Sequence, residues 1–237
     1  QPSPWAGMDE LPTADHWASV VMAGRVLGAF AIYATKDPSG PWEAAARRLA
    51  EAIRRMSVVE GDIAYPARNW SQPDMPIEPP AERPIGFRAA VAGWMAQGLL
   101  EYHRLLNDAD AAAIASKLMR YVMRDSGYFG PNGEFTEEFP DSGTIHFHAH
   151  TCQVFAALQA AKATGDAELL DLATRGYDYA LTQGEPLVGF FPEWLAVGGD
   201  YSRVESSEIC EVADMIMSGV TLCHMGVDKW DDVDRWV

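Results

Sequence analysis

Between Phe190 and Met215 the chain reads FFPEWLAVGGDYSRVESSEICEVADM. Glu193 stands beside Trp194, and a loop with Gly198, Gly199 and Asp200 follows. Glu205, Glu208, Cys210, Glu211 and Asp214 then fall within ten residues. Carboxylates crowded around one thiol have two readings. The plain one is a solvated helix face. The sharper one is a site, with paired carboxylates for proton transfer or mixed oxygen and sulfur ligation of zinc. Inside a regular helix Glu208 and Cys210 would point about 200° apart and share no ion. A helix that starts only near Cys210 leaves Glu208 in the preceding turn, and both then reach one cation. Ser202–Glu205 has the form of a capping box, and Ser206 and Ser207 are further caps. A thiol in a first helical turn meets the positive end of the peptide dipoles, which favours the thiolate.

Glu193 lies among Phe190, Phe191 and Trp194. That setting predicts a partly desolvated carboxyl with a raised pKa, as a general acid needs near neutral pH. Without a metal, the pair for acid and base work is Glu193 with Glu208 or Asp214, and their separation selects retention or inversion. Upstream, Thr144–His150 reads TIHFHAH. His146, His148 and His150 share a face if the segment is extended, whereas a helix keeps only His146 and His150 together. All three are candidates for binding substrate hydroxyls, and Trp194 for stacking on a sugar ring. The acidic run with Glu137, Glu138 and Asp141 reads as solvated charge. Cys223 follows Cys210 by 13 residues. That is about 20 Å along one helix, out of reach of the same ion. Cys152 reads as a core residue.

Composition narrows the partners. Among 237 residues, 34 are acidic and 18 basic, a net charge of −16. Such a surface repels phosphate backbones and anionic membranes, so neither nucleic acid nor membrane is expected. A neutral, hydroxyl-rich substrate is compatible, and eight Trp, eight Tyr and nine Phe supply flat faces for it. Three cysteines without framework spacing argue against a disulfide scaffold. No 18-residue apolar run occurs, so a soluble protein is expected, cytoplasmic or secreted to a compartment such as the periplasm. No phosphate-cradling glycine loop, dinucleotide fingerprint or nucleophile elbow is found, which argues against nucleotide chemistry and common serine hydrolases.

The elements that must position these residues are helices. Apolar residues recur at three and four spacings over roughly 15–34, 41–57, 84–106, 109–124, 147–164, 167–182 and 206–224, with a last segment from about 229. The Pro-rich stretch 72–84 is a linker candidate within a single domain, or piece of a domain, spanning 1–237. Residues 105–123 superimpose on 163–181 at an offset of 58, aligning Asp108 with Asp166 and Ala115 with Ala173. The stretch 224–237 begins the same way, with Asp228 on Asp166. Each unit of about 60 residues is helix, tight polar turn, amphipathic helix, and the turn Asp is an N-cap. Short loops inside hairpins and long ones between them predict an all-α fold, an α/α toroid whose inner helices line a pocket and whose long loops meet at one mouth. About four hairpins fit in the chain, so further polypeptide is expected to complete a six-hairpin ring.

Taken in order, HAHTCQVFAALQAA, Glu193, the pair Glu208-Ile209-Cys210 and DKWDDVDRWV resemble the six-hairpin glycosidase superfamily, and within it family 127 of the glycoside hydrolases, the β-L-arabinofuranosidase type. The resemblance covers roughly residues 84–237. It implies a substrate-binding role for His150 or His148, an acid/base role for Glu193, and zinc held by Glu208 and Cys210. It implies retaining hydrolysis of a neutral sugar, with attack by a zinc-held thiolate. Family members complete the zinc site with two neighbouring cysteines further along, one of them the nucleophile, and no such pair occurs before Val237. Ile209 stands where the family has Thr, and Glu211 where it has a small residue. Two other functions stay open. One is a toroidal sugar epimerase or isomerase using His146, His148 or His150 as acid and base. The other is a helical-repeat module that binds carbohydrate or protein without catalysis.

Overall fold

The computed structural model describes residues 18–71, 77–137, 143–196 and 206–237. Eight helices follow the predicted periodic segments: α1 (Val20–Lys36), α2 (Trp42–Met56), α3 (Phe87–Leu106), α4 (Ala109–Arg120), α5 (Phe147–Thr164), α6 (Ala167–Leu181), α7 (Ile209–His224) and α8 (Trp230–Trp236). A π-helical turn, Tyr121–Asp125, extends α4. Three two-stranded antiparallel ribbons join them. β1 (Ala18–Ser19) pairs with β4 (Trp70–Ser71), β2 (Ser57–Glu60) with β3 (Ile63–Pro66), and β5 (Thr144–His146) with β6 (Trp194–Ala196). Residues 77–84 of the linker candidate are neither helix nor strand. The remainder of its Pro-rich start lies outside the described residues, as do Glu138, Asp141 and Ser202–Glu205. Among the described residues no helix is long and apolar enough to cross a membrane.

The polar turns do the work that their sequence implies. Asp108 accepts from the Ala111 N–H at 2.9 Å, and Asp166 from the Leu169 N–H at 3.2 Å. Each satisfies an N–H that helix geometry leaves without a partner, worth about 1 kcal/mol. The helix before each turn ends on a left-handed residue, Asn107 (φ 56°) and Gly165 (φ 71°). Each Asp also takes an arginine from the preceding outer helix. Arg54 of α2 lies 2.6 Å from Asp108, and Arg120 of α4 lies 2.7 Å from Asp166. One carboxylate per repeat thus caps its own hairpin and ties it to its neighbour. Asp228 departs from the pattern. It accepts from the Trp230 N–H, two residues on, and the last helix starts after Lys229.

The helices form two layers. α1, α3, α5 and α7 pack in series as an inner layer, and α2, α4 and α6 pack outside them, each against its hairpin partner. This is the layering of an α/α toroid, present among the described residues as an open arc of four hairpins. α3 and α5 are buried on nearly all sides, with Ala, Gly and Met on α3 and Ala, Cys and Gln on α5 facing neighbours. Small residues allow the inner helices to approach closely. A Cβ on Gly98 of α3 would lie 2.2 Å from the Gly24 carbonyl oxygen of α1, and a Cβ on Gly93 would strike the Gln153 side chain of α5.

Gly98→Ala is therefore expected to force α1 and α3 apart and to lower stability by about 1–3 kcal/mol in urea denaturation. Gly28→Ala is the control. Its Cβ would meet Glu101 Cγ at an ordinary 3.7 Å, so better helix propensity should leave stability unchanged or raise it by about 0.5–1 kcal/mol. Equal losses in the two variants would contradict the close approach.

Candidate active site

The site is assembled by backbone before any side chain enters. β5 and β6 pair His146 with Trp194 and Ile145 with Leu195. Immediately beside that ribbon, the Phe147 N–H donates to the Glu193 carbonyl at 2.9 Å, and the Glu193 N–H donates to the Ser206 carbonyl at 3.0 Å. Phe147 opens α5, and Ser206 lies just before α7. Glu193 is thus held between the starts of two inner helices that pack against each other. The ribbon has only three residues per strand, too few for an alternating pattern to reveal it in the sequence.

His146 ends β5 and is the N-cap residue of α5, with its ring stacked on Trp194 at 4.5 Å between centroids. Burial, and then the neighbouring His148, push its pKa down. Ligand atoms of His146, Glu193 and Glu208 all lie within 4.8 Å of one another. The Ser206 hydroxyl donates to Glu193 Oε2 at 2.5 Å. That bond, more than any other cause, holds the Glu193 pKa below its ordinary value. The aromatic setting predicted the opposite direction. The reason is that Phe191 turns away into the core against Phe147 and Trp236, Phe190 is exposed, and the carboxylate finds a hydroxyl donor instead.

His148 lies in the first turn of α5. Its Nδ1–H donates to Asp214 Oδ2 at 2.7 Å, and the Thr151 hydroxyl donates to the same oxygen at 2.8 Å. The Asp214 hydrogen bond raises the His148 pKa, outweighing desolvation. Asp214 is 5 % exposed. Its Oδ2 is held by the His148 and Thr151 donors.

His150 is not at the site surface. It is 0 % exposed, stacked between Tyr128 at 4.0 Å and Phe135 at 4.6 Å, and its Nδ1–H donates to the His146 carbonyl. Burial pushes its pKa down to about 3. Expected to meet substrate, it is instead a core histidine. The helix begins at Phe147, so His148 and His150 point about 200° apart on α5, and His146 and His148 are the two histidines beside the carboxylates.

Helix α7 starts at Ile209, with Glu208 as its N-cap residue, so Glu208 and Cys210 do lie within reach of each other. The Cys210 thiol donates to Glu208 Oε2 at 3.0 Å. The capping box is formed by Glu208 and Glu211: Glu211 Oε2 accepts from the Glu208 N–H at 2.6 Å, and the Glu208 side chain accepts from the Glu211 N–H. The thiol does not follow the expected thiolate pattern. Burial first, then the Glu208 hydrogen bond and the charges of Glu211, Glu208 and Asp214, push its pKa up to about 12. Glu211, a candidate for neither acid nor ligand in the sequence reading, is 0 % exposed, and burial raises its pKa to about 7. Its Oε1 has no hydrogen-bond partner among the described residues. The available signal was a carboxylate three residues after a capping position, but Ser206 and Ser207 competed as caps. Cys223 stands away from the cluster and accepts from the Lys229 N–H, and Cys152 is buried in the core.

Chemically, the cluster sets two carboxyls apart, Glu193 shifted down and Glu211 shifted up, beside an imidazole held by a buried carboxylate. Groups whose pKa values are pushed apart suit acid and base roles at one pH. Glu208, Cys210 and Glu211 also bring three ligand atoms within 4.8 Å, an oxygen and sulfur set of the kind zinc accepts.

No protein-family model and no curated protein matches the chain. Solved structures do. A family 76 α-mannanase of Bacteroides thetaiotaomicron aligns with a TM-score of 0.70 at 12% identity, over 98% of this chain and 67% of its own. A family 76 mannosidase of Bacteroides thetaiotaomicron VPI-5482 aligns at 0.67 and 14% identity, over 92% and 59%. The cellobiose 2-epimerase of Spirochaeta thermophila aligns at 0.61 and 14% identity, over 93% and 58%. The chain spans roughly three fifths to two thirds of the length of these proteins, and what it shares with them is the α/α toroid fold.

The His148–Asp214 pair makes the first test of this geometry. A raised imidazole pKa means that the pair stabilises the fold fully below about pH 6.5, and that the contribution is lost as pH rises through the His148 midpoint. Asp214→Asn removes the largest cause of the shift. The expected result is a lower His148 midpoint in an NMR titration, and a smaller loss of stability above pH 6.5. An unchanged midpoint would dissociate His148 from Asp214.

Proposed function

We propose that the chain carries the acid/base side of a glycoside hydrolase active site acting on a neutral sugar, with Glu193 as the acid/base carboxylate. The observation that carries this reading is the placement of Glu193 within 4.8 Å of His146 and Glu208 at the starts of two inner helices. The stacked His146–Trp194 pair offers a flat face for a sugar ring, and the net charge of −16 favours an uncharged ligand. Glycosidase function in proteins of the same fold adds support. The likeness to family 127 rests on the sequence motifs alone.

In this reading Glu193 donates its proton to the leaving glycosidic oxygen, then takes one from the attacking water. At rest it is a carboxylate, because Ser206 stabilises the charge. A sugar that covers Glu193 and draws away the Ser206 hydroxyl would raise its proton affinity. His148, held by Asp214 and favoured in its protonated form, is available to donate to a ring hydroxyl. Without a metal, Glu208 supplies the second carboxylate, and the short separation from Glu193 suits retention. Glu208 and Cys210 fit a zinc ion by donor type. When bound, such an ion would supply positive charge that keeps a coordinating thiol deprotonated.

Glu193→Gln is expected to lower kcat/KM on nitrophenyl glycosides by at least about 100-fold. Ser206→Ala removes the hydrogen bond that favours the charged form. It should move the alkaline limb of the kcat/KM profile to higher pH, since Glu193 then stays protonated further up the scale. Full activity in Glu193→Gln would overturn the assignment. One observation favours a second reading: two histidines, one with a raised pKa, meet a carboxylate at the site, as an epimerase would need for proton transfer at a sugar carbon. Reaction in D2O separates the two. Deuterium entering C2 of a recovered aldose would mark epimerisation, and hydrolysis leaves that position unlabelled.

A further inference from the structure

We propose that Glu211 is a third protein ligand of a divalent-cation site of zinc type formed with Glu208 and Cys210. The inference rests on the reading of Glu208 and Cys210 as a metal pair, and not on the reaction the protein performs. Three features of the cluster support it. The ligand atoms of the three residues lie within 4.8 Å of one another. Around a tetrahedral ion with bonds of about 2.0–2.3 Å, neighbouring ligand atoms sit about 3.2–3.8 Å apart, so small side-chain movements complete the shell.

The second feature is independent of the clustering. Glu211 is 0 % exposed, and its two oxygens are treated unequally. Oε2 accepts from the Glu208 N–H, while Oε1 is buried with no hydrogen-bond partner. An unpaired buried polar oxygen is costly, and a cation would remove that cost. The third feature is the division of labour. The N-cap hydrogen bond fixes the carboxylate through one oxygen and leaves the other for coordination, an arrangement in which a hydrogen-bonded carboxylate is oriented for its metal. Two carboxylate oxygens and one thiolate are donor types that zinc accepts. Glu208 also belongs to the group with His146 and Glu193, so the ion would sit next to the proposed acid.

Cobalt(II) added to chelator-treated protein gives a direct readout that does not depend on activity. Wild type is expected to bind one ion per chain and to show a near-ultraviolet thiolate-to-cobalt band, which zinc then displaces. Cys210→Ser should lose the band. Glu211→Gln keeps an oxygen for the Glu208 N–H, so circular dichroism should be unchanged, while the affinity falls by at least about tenfold. Glu211→Cys adds a second thiolate and should roughly double the band, which keeps the test open if the Gln variant fails to fold. Undiminished affinity in Glu211→Gln, or a one-thiolate band in Glu211→Cys, would overturn the role of Glu211 and leave the metal pair standing. Wild type that binds no cobalt would overturn both, without touching the acid assignment of Glu193.

Discussion

Everything at the site depends on one residue being tied by its backbone on both sides. The Glu193 carbonyl accepts from Phe147, and its N–H donates to Ser206. The first bond answers a need of α5, whose opening N–H groups have no partner within the helix. The second fixes the segment that leads into α7. Because these are backbone bonds, they are indifferent to the Glu193 side chain, which is left for chemistry. The β5–β6 ribbon adds the neighbouring pairs and sets His146 against Trp194. A site built this way takes its precision from helix ends and a short ladder, both more rigid than the long connections they interrupt.

Electrostatics then differentiates groups that composition alone would treat as equivalent. Glu193 and Glu211 are both glutamates held near the start of α7, the first through its backbone bond to Ser206 and the second within the first helical turn, yet one has a hydroxyl donor and the other is fully enclosed. Their pKa values move in opposite directions. Cys210 is raised first by burial and then by its bond to Glu208 and the neighbouring carboxylates, the opposite of the thiolate that a helix start favours. Asp214 is spared the same conflict because the His148 imidazole and the Thr151 hydroxyl both donate to it.

Helices and hairpins were legible because their signals repeat. Periodicity located the eight helices, and the alignment of Asp108 with Asp166 identified two caps that the structure uses as read. Asp228 matched in letters but not in geometry, since its carboxylate bonds only two residues on. The site was legible in its residues and not in their orientations. TIHFHAH offered either a strand or a helix, and the chain uses both, with the change at Phe147. That one boundary sends His148 to Asp214 and His150 into an aromatic core. No local pattern could supply it, because the ribbon partner is some fifty residues away, on β6. Glu193 was misjudged electrostatically for a similar reason. Phe190 and Phe191 point elsewhere, Trp194 acts as a hydrogen-bond donor rather than an apolar wall, and its partner Ser206 comes from beyond a loop.

The hairpin repeat also decides where such a cluster can form. Consecutive helices in a hairpin run in opposite directions, so the inner helices α1, α3, α5 and α7 all run the same way. Their N-termini gather at one end of the arc, together with the connections that precede them. N-terminal turns expose N–H groups and positive potential, and they attract carboxylates as caps and as ligands. Glu208 and Glu211 at α7 are members of that class, and His146 occupies the matching position on α5. Two inner helices packed side by side therefore bring together acidic side chains that are far apart in the chain, with the histidines of one beside the carboxylates of the other. The architecture supplies the convergence. What chemistry results is then set by a handful of side chains, above all by which carboxylates find a donor and which are left to find a proton or an ion.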